Sequence, residues 1–438
     1  MKRFLIHTLG CRLNQAESDQ IIQKLYEEGY VLVQKDQPAE LCIINTCAVT
    51  HEAEVKCRKI IRQLLRGNPT AIIVVIGCYV ERDIGAIRNI EGIDLIVDNK
   101  CKLKWLSDIP TKKLVKPRIV TEGEWKGESI SFEPVLPPFS IPSFHRANVK
   151  IQEGCDCKCS YCIIPHLRGP SRSRAIEEIL KEIEWRLEGG TKEIVLTGVN
   201  IGNYNWQGSN LINLLDAIHC RFGEKKCFRI RLSSIELNTL NDEYILRMRD
   251  KKYPLVPYLH IPLQSGCNTI LRSMNRPYVR EEYEDFVLKA VEMVEDIGIS
   301  ADIMVGFPGE TERDFEETLS FLNRLPIYFM HVFPFSPREG TLAYSMENKV
   351  KPIEIERRVK EVIRLSKRKR EEFHKRNINK VKEVLFEERE NSSWSGYSEN
   401  YIRVFLDSDA NLENKMCLVK LEENDSFSMK GSLVEVKF

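Results

Sequence analysis

Apolar positions along the chain recur in two alternating rhythms. Short apolar runs at Arg3–Thr8, Leu41–Asn45 and Ala71–Ile76 read as buried strands. Between them the spacing is helical. In Asn14–Glu28 the residues Ala16, Ile21, Ile22, Leu25 and Tyr26 share a face and Gly29 ends the helix. A second helix runs from about His51 to Leu65 and stops at Gly67-Asn68-Pro69. Strands alternating with helices predict a parallel sheet with helices on its faces. The rhythm is lost between Lys100 and Arg146, where Pro110, Pro117, Pro134, Pro137, Pro138 and Pro142 punctuate an inter-domain connection with a little strand structure.

The alternation then resumes. Strands are predicted at Ala147–Gln152, Glu193–Leu196, Phe228–Leu232, Tyr258–Pro262, Ser300–Val305 and Tyr328–Phe333. Helices fit Ile176–Leu187, Leu211–Arg221, Asp242–Asp250, Arg280–Ile297 and Glu312–Asn323. Six such repeats predict an incomplete (β/α)6 barrel, with its chemistry at the carboxyl ends of the strands. Glu354–Lys380 reads as a strongly basic helix. After it, short strands at Lys382–Phe386, Tyr401–Phe405, Met416–Lys420 and Ser432–Val436 predict a small β-barrel of OB type. The expectation is an α/β protein in five segments: a parallel-sheet domain (1–105), a linker (106–146), a barrel core (147–350), a basic helical connection (351–380) and a small β-barrel (381–438).

Composition narrows the class. At 438 residues and 42% hydrophobic, the chain supports sizeable cores and is not a disordered one. A net charge of +1 means that any nucleic-acid surface must be a local patch. Fourteen cysteines without the spacing of a small secreted domain suit metal binding in a reducing compartment. The run Phe4-Leu5-Ile6 is too short for a signal segment, and Ala71–Ile76 for a membrane span. A cytoplasmic protein with no membrane partner is expected.

The densest chemistry is Cys155-Asp156-Cys157-Lys158-Cys159-Ser160-Tyr161-Cys162. Cys155, Cys159 and Cys162 read C-x3-C-x2-C. Three thiolates on one tight loop can hold three irons of a [4Fe–4S] cube and leave the fourth open to substrate. Ferredoxin loops are spaced differently. A zinc knuckle is the alternative, but a structural zinc site pairs C-x2-C with a second pair or with histidines, and only His166 is near. Cys157 lies inside the loop, as an alternative ligand or a bystander. A second set is Cys11, Cys47 and Cys78, each just after a strand of the first sheet, where open parallel sheets form their ligand crevice. Gly10 and Gly77 precede two of them and let backbone approach a bulky ligand. These three offer a second [4Fe–4S] cluster; ordinary buried cysteines are the plainer alternative. Cys42, Cys57 and Cys101 receive no role.

The strand ends of the barrel core carry Thr197-Gly198-Val199-Asn200, Ser233-Ser234-Ile235-Glu236, Leu263-Gln264-Ser265-Gly266, Val305-Gly306-Phe307-Pro308 and Pro334-Phe335-Ser336-Pro337. Together on one rim, these glycines, hydroxyls and amides read as a cradle for a cofactor with an amino acid end and a ribose.

The cluster loop, followed by Ile163-Ile164-Pro165 and Arg168-Gly169-Pro170-Ser171-Arg172-Ser173-Arg174, resembles the radical S-adenosylmethionine superfamily and within it the methylthiotransferases. Thr8-Leu9-Gly10-Cys11 with Asn14-Gln15, Asn45-Thr46-Cys47 and Gly77-Cys78-Tyr79 look like that family's N-terminal domain, whose three matching cysteines hold an auxiliary cluster. The last segment looks like its RNA-binding TRAM module, although it carries more Asp and Glu than Lys and Arg. RNA contact then falls to Trp394, Tyr397 and Tyr401, or to the phosphate-binding run Lys367, Arg368, Lys369 and Arg370.

The resemblance implies a two-cluster methylthiolation with S-adenosylmethionine, in which a 5′-deoxyadenosyl radical abstracts hydrogen and the auxiliary cluster carries sulfur. It implies Gly198 and Asn200 near the methionine moiety, Ser234 and Gln264 at methionine or ribose, and the backbones of Tyr161 and Gly306 at adenine. It implies tRNA as a partner, an electron donor such as flavodoxin or ferredoxin, and a sulfur donor that the sequence does not name. Leu232-Ser233-Ser234-Ile235-Glu236 and His331–Gly340 look most like the type acting on threonylcarbamoyladenosine beside the anticodon, although Leu237 stands where proline is expected. The isopentenyladenosine and ribosomal-protein types are the enzyme alternatives. An RNA-binding iron–sulfur sensor without turnover is the alternative of another class.

Overall fold

The computed structural model describes residues 2–34, 36–123, 145–224, 228–424 and 427–437. Pro134, Pro137, Pro138 and Pro142 of the expected linker lie outside the described residues. The chain begins with β1 (Arg3–Thr8), α1 (Arg12–Glu27), β2 (Val31–Leu32), β3 (Leu41–Thr46), α2 (His51–Gly67), β4 (Ile72–Gly77), α3 (Cys78–Arg82), α4 (Ile84–Arg88), β5 (Leu95–Val97) and β6 (Arg118–Val120). The six strands form one parallel sheet in the order β2-β1-β3-β4-β5-β6. β3 and β4 are buried at every residue. Alternation along them divides the core. Ile43, Val74 and Val97 pack with Ile21 and Leu25 of α1, while Ile44, Val75 and Ile96 pack with Cys57 and Ile61 of α2. β6 adds an edge strand within the stretch that the prolines mark as connection.

A second parallel wall follows. Its strands are β7 (Arg146–Lys150), β10 (Glu193–Thr197) and β13 (Arg229–Leu232), then β14 (Tyr258–His260), β15 (Gly298–Val305) and β16 (Phe329–Pro334). Isolated bridges Ile230–Leu255 and Ser234–His260 join the two triplets. Two short antiparallel pairs decorate it: β8 (Gln152–Glu153) with β9 (Arg172–Ser173), and β11 (Asn205–Trp206) with β12 (Ser209–Asn210). The helices are α5 (Ile164–Arg168), α6 (Ile176–Glu188), α7 (Leu211–Phe222), α8 (Asp242–Arg249), α9 (Asn268–Ser273), α10 (Arg280–Met293) and α11 (Glu312–Arg324). Thr197, Arg231, His260, Asp302 and His331, from five different strands, border one cavity. The wall is therefore concave, as expected of an incomplete barrel.

The 26-residue helix α12 (Pro352–Asn377) packs along β16, where Met330 N donates to Ser366 Oγ at 2.9 Å. It leads into a closed barrel of β17 (Val381–Glu390), β18 (Ser393–Ser398), β19 (Arg403–Asp407), β20 (Met416–Asn424) and β21 (Met429–Val436), in the order β17-β18-β19-β21-β20. Its core is continuous with Val256, Tyr258, Tyr328 and Phe373 of the preceding units. No described helix is long and apolar enough to cross a membrane.

Candidate functional site

The first cysteine set converges at the carboxyl edge of the N-terminal sheet. Cys11 caps α1, Cys47 follows β3, and Cys78 opens α3. Gly10 holds φ +97°, and a Cβ there would meet Cys47 Cβ at 2.8 Å and Sγ at 3.0 Å. Only glycine permits this approach. Burial pushes the Cys47 thiol up to about 12, and the neighbouring Cys78 and Cys11 sulfurs add to it. The motif asparagines pin the loops. Asn14 Nδ2 donates to the Leu9 and Thr46 carbonyls at 2.7 and 3.0 Å, and Asn45 Nδ2 donates to the Asn14 carbonyl at 2.9 Å.

Two supports here are not legible in sequence. Cys47 N donates to Cys57 Sγ at 3.4 Å, and the Cys57 thiol returns to the Cys47 carbonyl at 3.3 Å. Asn99 Nδ2 reaches Cys78 Sγ at 3.7 Å and the Leu167 carbonyl at 2.9 Å, tying this edge to α5 of the barrel core.

The second set lies on the loop between β8 and α5. Gly154, at φ +75°, starts it, and any Cβ there would overlap the Pro170 carbonyl. Cys155 N donates to the Gly169 carbonyl and Cys162 N to the Cys159 carbonyl, both at 3.1 Å. The turn after α9 anchors the loop: Ser160 N bonds the Met274 carbonyl at 3.0 Å, and Asn275 Nδ2 the Lys158 carbonyl at 2.7 Å. Arg276, missed in sequence because its partners are far along the chain, is buried beside this loop. Its Nη1 donates to Cys159 Sγ at 3.3 Å, and it pairs with Glu236. The Cys155 thiol donates to the Cys157 sulfur, which brings Cys157 down to about 7 and pushes Cys155 up. Asn200 Nδ2 approaches Cys157 Sγ at 3.9 Å.

The strand ends present unpaired polarity. Thr197 Oγ1, Asn200 Oδ1, Ser233 Oγ and Gln264 Oε1 are buried without a hydrogen-bond partner. Such atoms cost free energy unless a ligand satisfies them. Gly198 leaves room only for Gln152, whose Oε1 would lie 2.8 Å from a Cβ and which accepts from Val199 N and Asn200 N at 3.0 Å. Ser234 is half-buried and borders the cavity. Gln264 sits at φ +71°. Gly306, at φ +78°, gives its N–H to Glu310 Oε2 at 2.5 Å, so its carbonyl is what it can offer a ligand. Tyr161 packs against an apolar group that includes Cys267, Met304 and Phe307. Three thiols on one loop beside these orphaned oxygens fit a cluster with a polar ligand on its open iron.

The basic run of α12 is split by its helix. Lys367 and Arg368 are exposed, with Arg368 against Asn323 Oδ1. Lys369 is buried and donates to the Asn323 carbonyl at 2.9 Å; burial brings its ammonium down to about 8. Arg370 borders the central cavity.

That cavity, of about 920 Å³, lies where the three units meet. Cys11 and Arg12 reach it from the N-terminal sheet, Gly198, Ser233 and Ser234 from the rim, and Tyr397 and Tyr401 from the C-terminal barrel. Tyr397 and Tyr401 stack with centroids 4.8 Å apart and face inward, while Trp394 is buried and donates to the Ala410 carbonyl at 2.9 Å. Arg12 Nη2 donates to the Tyr401 hydroxyl at 2.7 Å. Burial raises the Tyr401 hydroxyl, and Arg12, Arg146 and Arg231 outweigh it to leave the group below its ordinary value. Arg12 and Tyr401 join three units around one space, and no sequence period reports that.

Comparison with known proteins agrees with this layout. Residues 149–322 match the Radical SAM superfamily, and residues 3–98 match the uncharacterized protein family UPF0004. The chain is 36% identical to the threonylcarbamoyladenosine tRNA methylthiotransferase MtaB of Bacillus subtilis (strain 168), over all of this chain and 97% of that protein. It is 36% identical to the MtaB of Aquifex aeolicus (strain VF5), over 91% of this chain and 95% of that protein. It is 31% identical to the tRNA-2-methylthio-N(6)-dimethylallyladenosine synthase of the same organism, over 99% of both. Among solved structures, the radical S-adenosylmethionine methyltransferase TsrM from Kitasatospora setae superposes with a TM-score of 0.54 at 15% identity, covering 78% of this chain and 74% of that one, which supports the fold alone.

Proposed function

The chain belongs to the threonylcarbamoyladenosine tRNA methylthiotransferases, a family of radical S-adenosylmethionine enzymes, and we propose that its two cysteine sets divide the work on that tRNA base. Its cofactors are S-adenosylmethionine and two [4Fe–4S] clusters. Cys155, Cys159 and Cys162 hold the cluster beside the rim, and Cys11, Cys47 and Cys78 hold the auxiliary one. When bound, these groups supply one-electron cleavage of a C–S bond, the sulfur and the methyl group. Thr197, Asn200, Ser233 and Gln264 orient the amino acid end and ribose with oxygens that have no other partner. Arg276 steadies the Cys159 sulfur. Tyr161 and the Gly306 carbonyl border the adenine. A donor of flavodoxin or ferredoxin type feeds the electron, and a separate donor feeds the sulfur. The observation that carries this reading is the single cavity bordered by both Cys11 and the barrel rim.

The test uses anaerobically reconstituted protein with dithionite, S-adenosylmethionine and tRNA carrying threonylcarbamoyladenosine. Replacing Cys11, Cys47 and Cys78 by alanine removes about four of about eight irons, as expected for two cubes. That variant forms 5′-deoxyadenosine but no methylthiolated nucleoside. The matching Cys155, Cys159 and Cys162 variant loses the same iron and forms neither product. Methylthiolation by the first variant would sink the division of work. Activity confined to dimethylallyladenosine tRNA would overturn the substrate.

A further inference from the structure

We propose that Arg12 reads the carboxylate of the threonyl group and thereby sets the substrate class of the central cavity. The proposal rests on the function given above and deepens it. A threonylcarbamoyl substituent brings a negative charge to the adenine N6 at neutral pH. A dimethylallyl substituent brings only hydrocarbon. A site for the first needs a cation where a site for the second needs an apolar wall, because specificity follows from groups that the wrong substrate leaves unpaired.

The cavity is rich in cations. Arg12, Arg146, Arg231, Arg370 and Arg403 border it, against the single carboxylate of Asp302 among the described lining residues. Three of the five are committed elsewhere. Arg146 pairs with Glu387, Arg231 with Glu193 at 2.8 Å, and Arg403 with Glu390. Arg370 lies over the Phe427 ring at 4.5 Å and the Phe329 ring at 5.4 Å. Asp302 is taken by His260 at 3.2 Å. Arg12 makes no ion pair with a carboxylate among the described residues, and its hydrogen bond goes to the Tyr401 hydroxyl at 2.7 Å. It is half-buried, so a carboxylate arriving there exchanges little water for a planar, two-pronged donor.

Position supports the same residue. Arg12 follows Cys11, and both border the cavity. The atom that receives sulfur is C2 of the adenine ring, and the threonyl chain leaves from C6, across N1. A base with C2 toward the Cys11 set therefore carries its carboxylate within the reach of an arginine side chain rooted next to that set. Tyr401 fixes the guanidinium in advance. It holds φ +70°, a strained value for an aromatic residue, and its ring is packed between Tyr397 and Tyr258 at centroid distances of 4.8 and 4.7 Å.

The experiment compares two substrates on the reconstituted full chain: tRNA carrying threonylcarbamoyladenosine, and the same tRNA with the threonyl carboxylate converted to its methyl ester. Wild type is expected to show a KM at least about tenfold higher for the ester, the loss of one charge-assisted interaction. Arg12→Gln raises KM for the acid by about that factor and leaves the ester unchanged, so the preference disappears. Arg12→Lys restores part of it. Equal KM values for acid and ester in wild type overturn the proposal, and this comparison needs no variant to fold. Equal losses on acid and ester in Arg12→Gln also overturn it, since a guanidinium that only holds Tyr401 acts on both alike. A wild type that is active only on dimethylallyladenosine tRNA fails the functional reading itself, and is distinguished by its silence toward both acid and ester.

Discussion

Burial raises the Asp19 carboxyl from its ordinary 3.8 to about 7; Arg186 pulls against that shift and Glu182 adds to it. Asp19 sits on α1 where that helix meets α6 of the barrel core. In the folded chain the group keeps its proton to a higher pH than in the unfolded chain. Stability from this source is therefore present below the unfolded value and declines as pH rises from about 4 to about 7, at about 1.4 kcal/mol for each pH unit crossed. Asp19→Asn, which is neutral at every pH, is expected to raise the unfolding midpoint at both pH 5 and pH 8, and clearly more at pH 8. Anaerobic thermal unfolding at the two pH values measures this. An equal effect at both would mean that Asp19 is not charged against its surroundings. The same scale explains what sequence reading missed. Asp19, Asn99, Arg12 and Arg276 all sit in polar stretches that read as surface. Their partners lie far along the chain, 68 residues for Asn99 with Leu167 and 117 for Arg276 with Cys159, so no local period could place them.

Among the elements, α12 shows how a charge run is divided. Four consecutive cations on a 3.6-residue period cannot share one face. Lys367 and Arg368 face solvent, Lys369 faces Asn323, and Arg370 faces the cavity. Only the exposed pair is free to release counterions from tRNA. Replacing Lys367 and Arg368 by glutamine is expected to lower the slope of log affinity against log salt by about 1 to 2. Lys369→Gln should leave the slope as it is. Titrations of tRNA at several salt concentrations read the difference, and a wild-type slope in the double variant would make these two ordinary surface charges. Elements with a strong apolar period were legible, including all six core strands and the three cysteine-bearing strand ends. One was not. β18 reads Ser393-Trp394-Ser395-Gly396-Tyr397-Ser398, without the β-branched residues that mark a strand. β6, three residues of sheet edge, falls in the proline-punctuated stretch where a little strand structure is expected.

At the scale of the whole molecule, the N-terminal sheet and the barrel core are joined through buried charge. Glu17 of α1 contacts Lys102 at 2.5 Å, Lys150 of β7 at 2.9 Å and Arg168 of α5 at 2.8 Å. Glu153 completes the group, at 2.7 Å from Lys150 and 2.8 Å from Arg168. Burial pushes the Glu17 carboxyl up, and Arg168, Lys102 and Lys150 outweigh it, leaving the carboxyl well below its ordinary 4.5. Its contribution is therefore complete above 4.5 and is lost only as pH falls toward the folded value. Arg168 also touches Asn14 Oδ1 at 2.5 Å, and Asn14 fixes the loops of Cys11 and Cys47. The same joint thus sets where one cysteine set stands relative to the other. Glu17→Gln would leave four buried cations, Lys102, Lys150, Arg168 and Arg172, with Glu153 as the one remaining carboxylate of the group. A loss of roughly 3–5 kcal/mol is expected, because an uncompensated buried charge is expensive. Glu284→Gln, which breaks an exposed pair with Arg324, should cost under about 1 kcal/mol. Denaturant unfolding of both variants gives the comparison. In Glu17→Gln the yield of methylthiolated nucleoside per 5′-deoxyadenosine should also fall, since cleavage needs one cluster site and sulfur transfer needs both in register. If Glu17→Gln is no less stable than Glu284→Gln and keeps that yield, the charged joint neither holds the two units together nor sets their spacing.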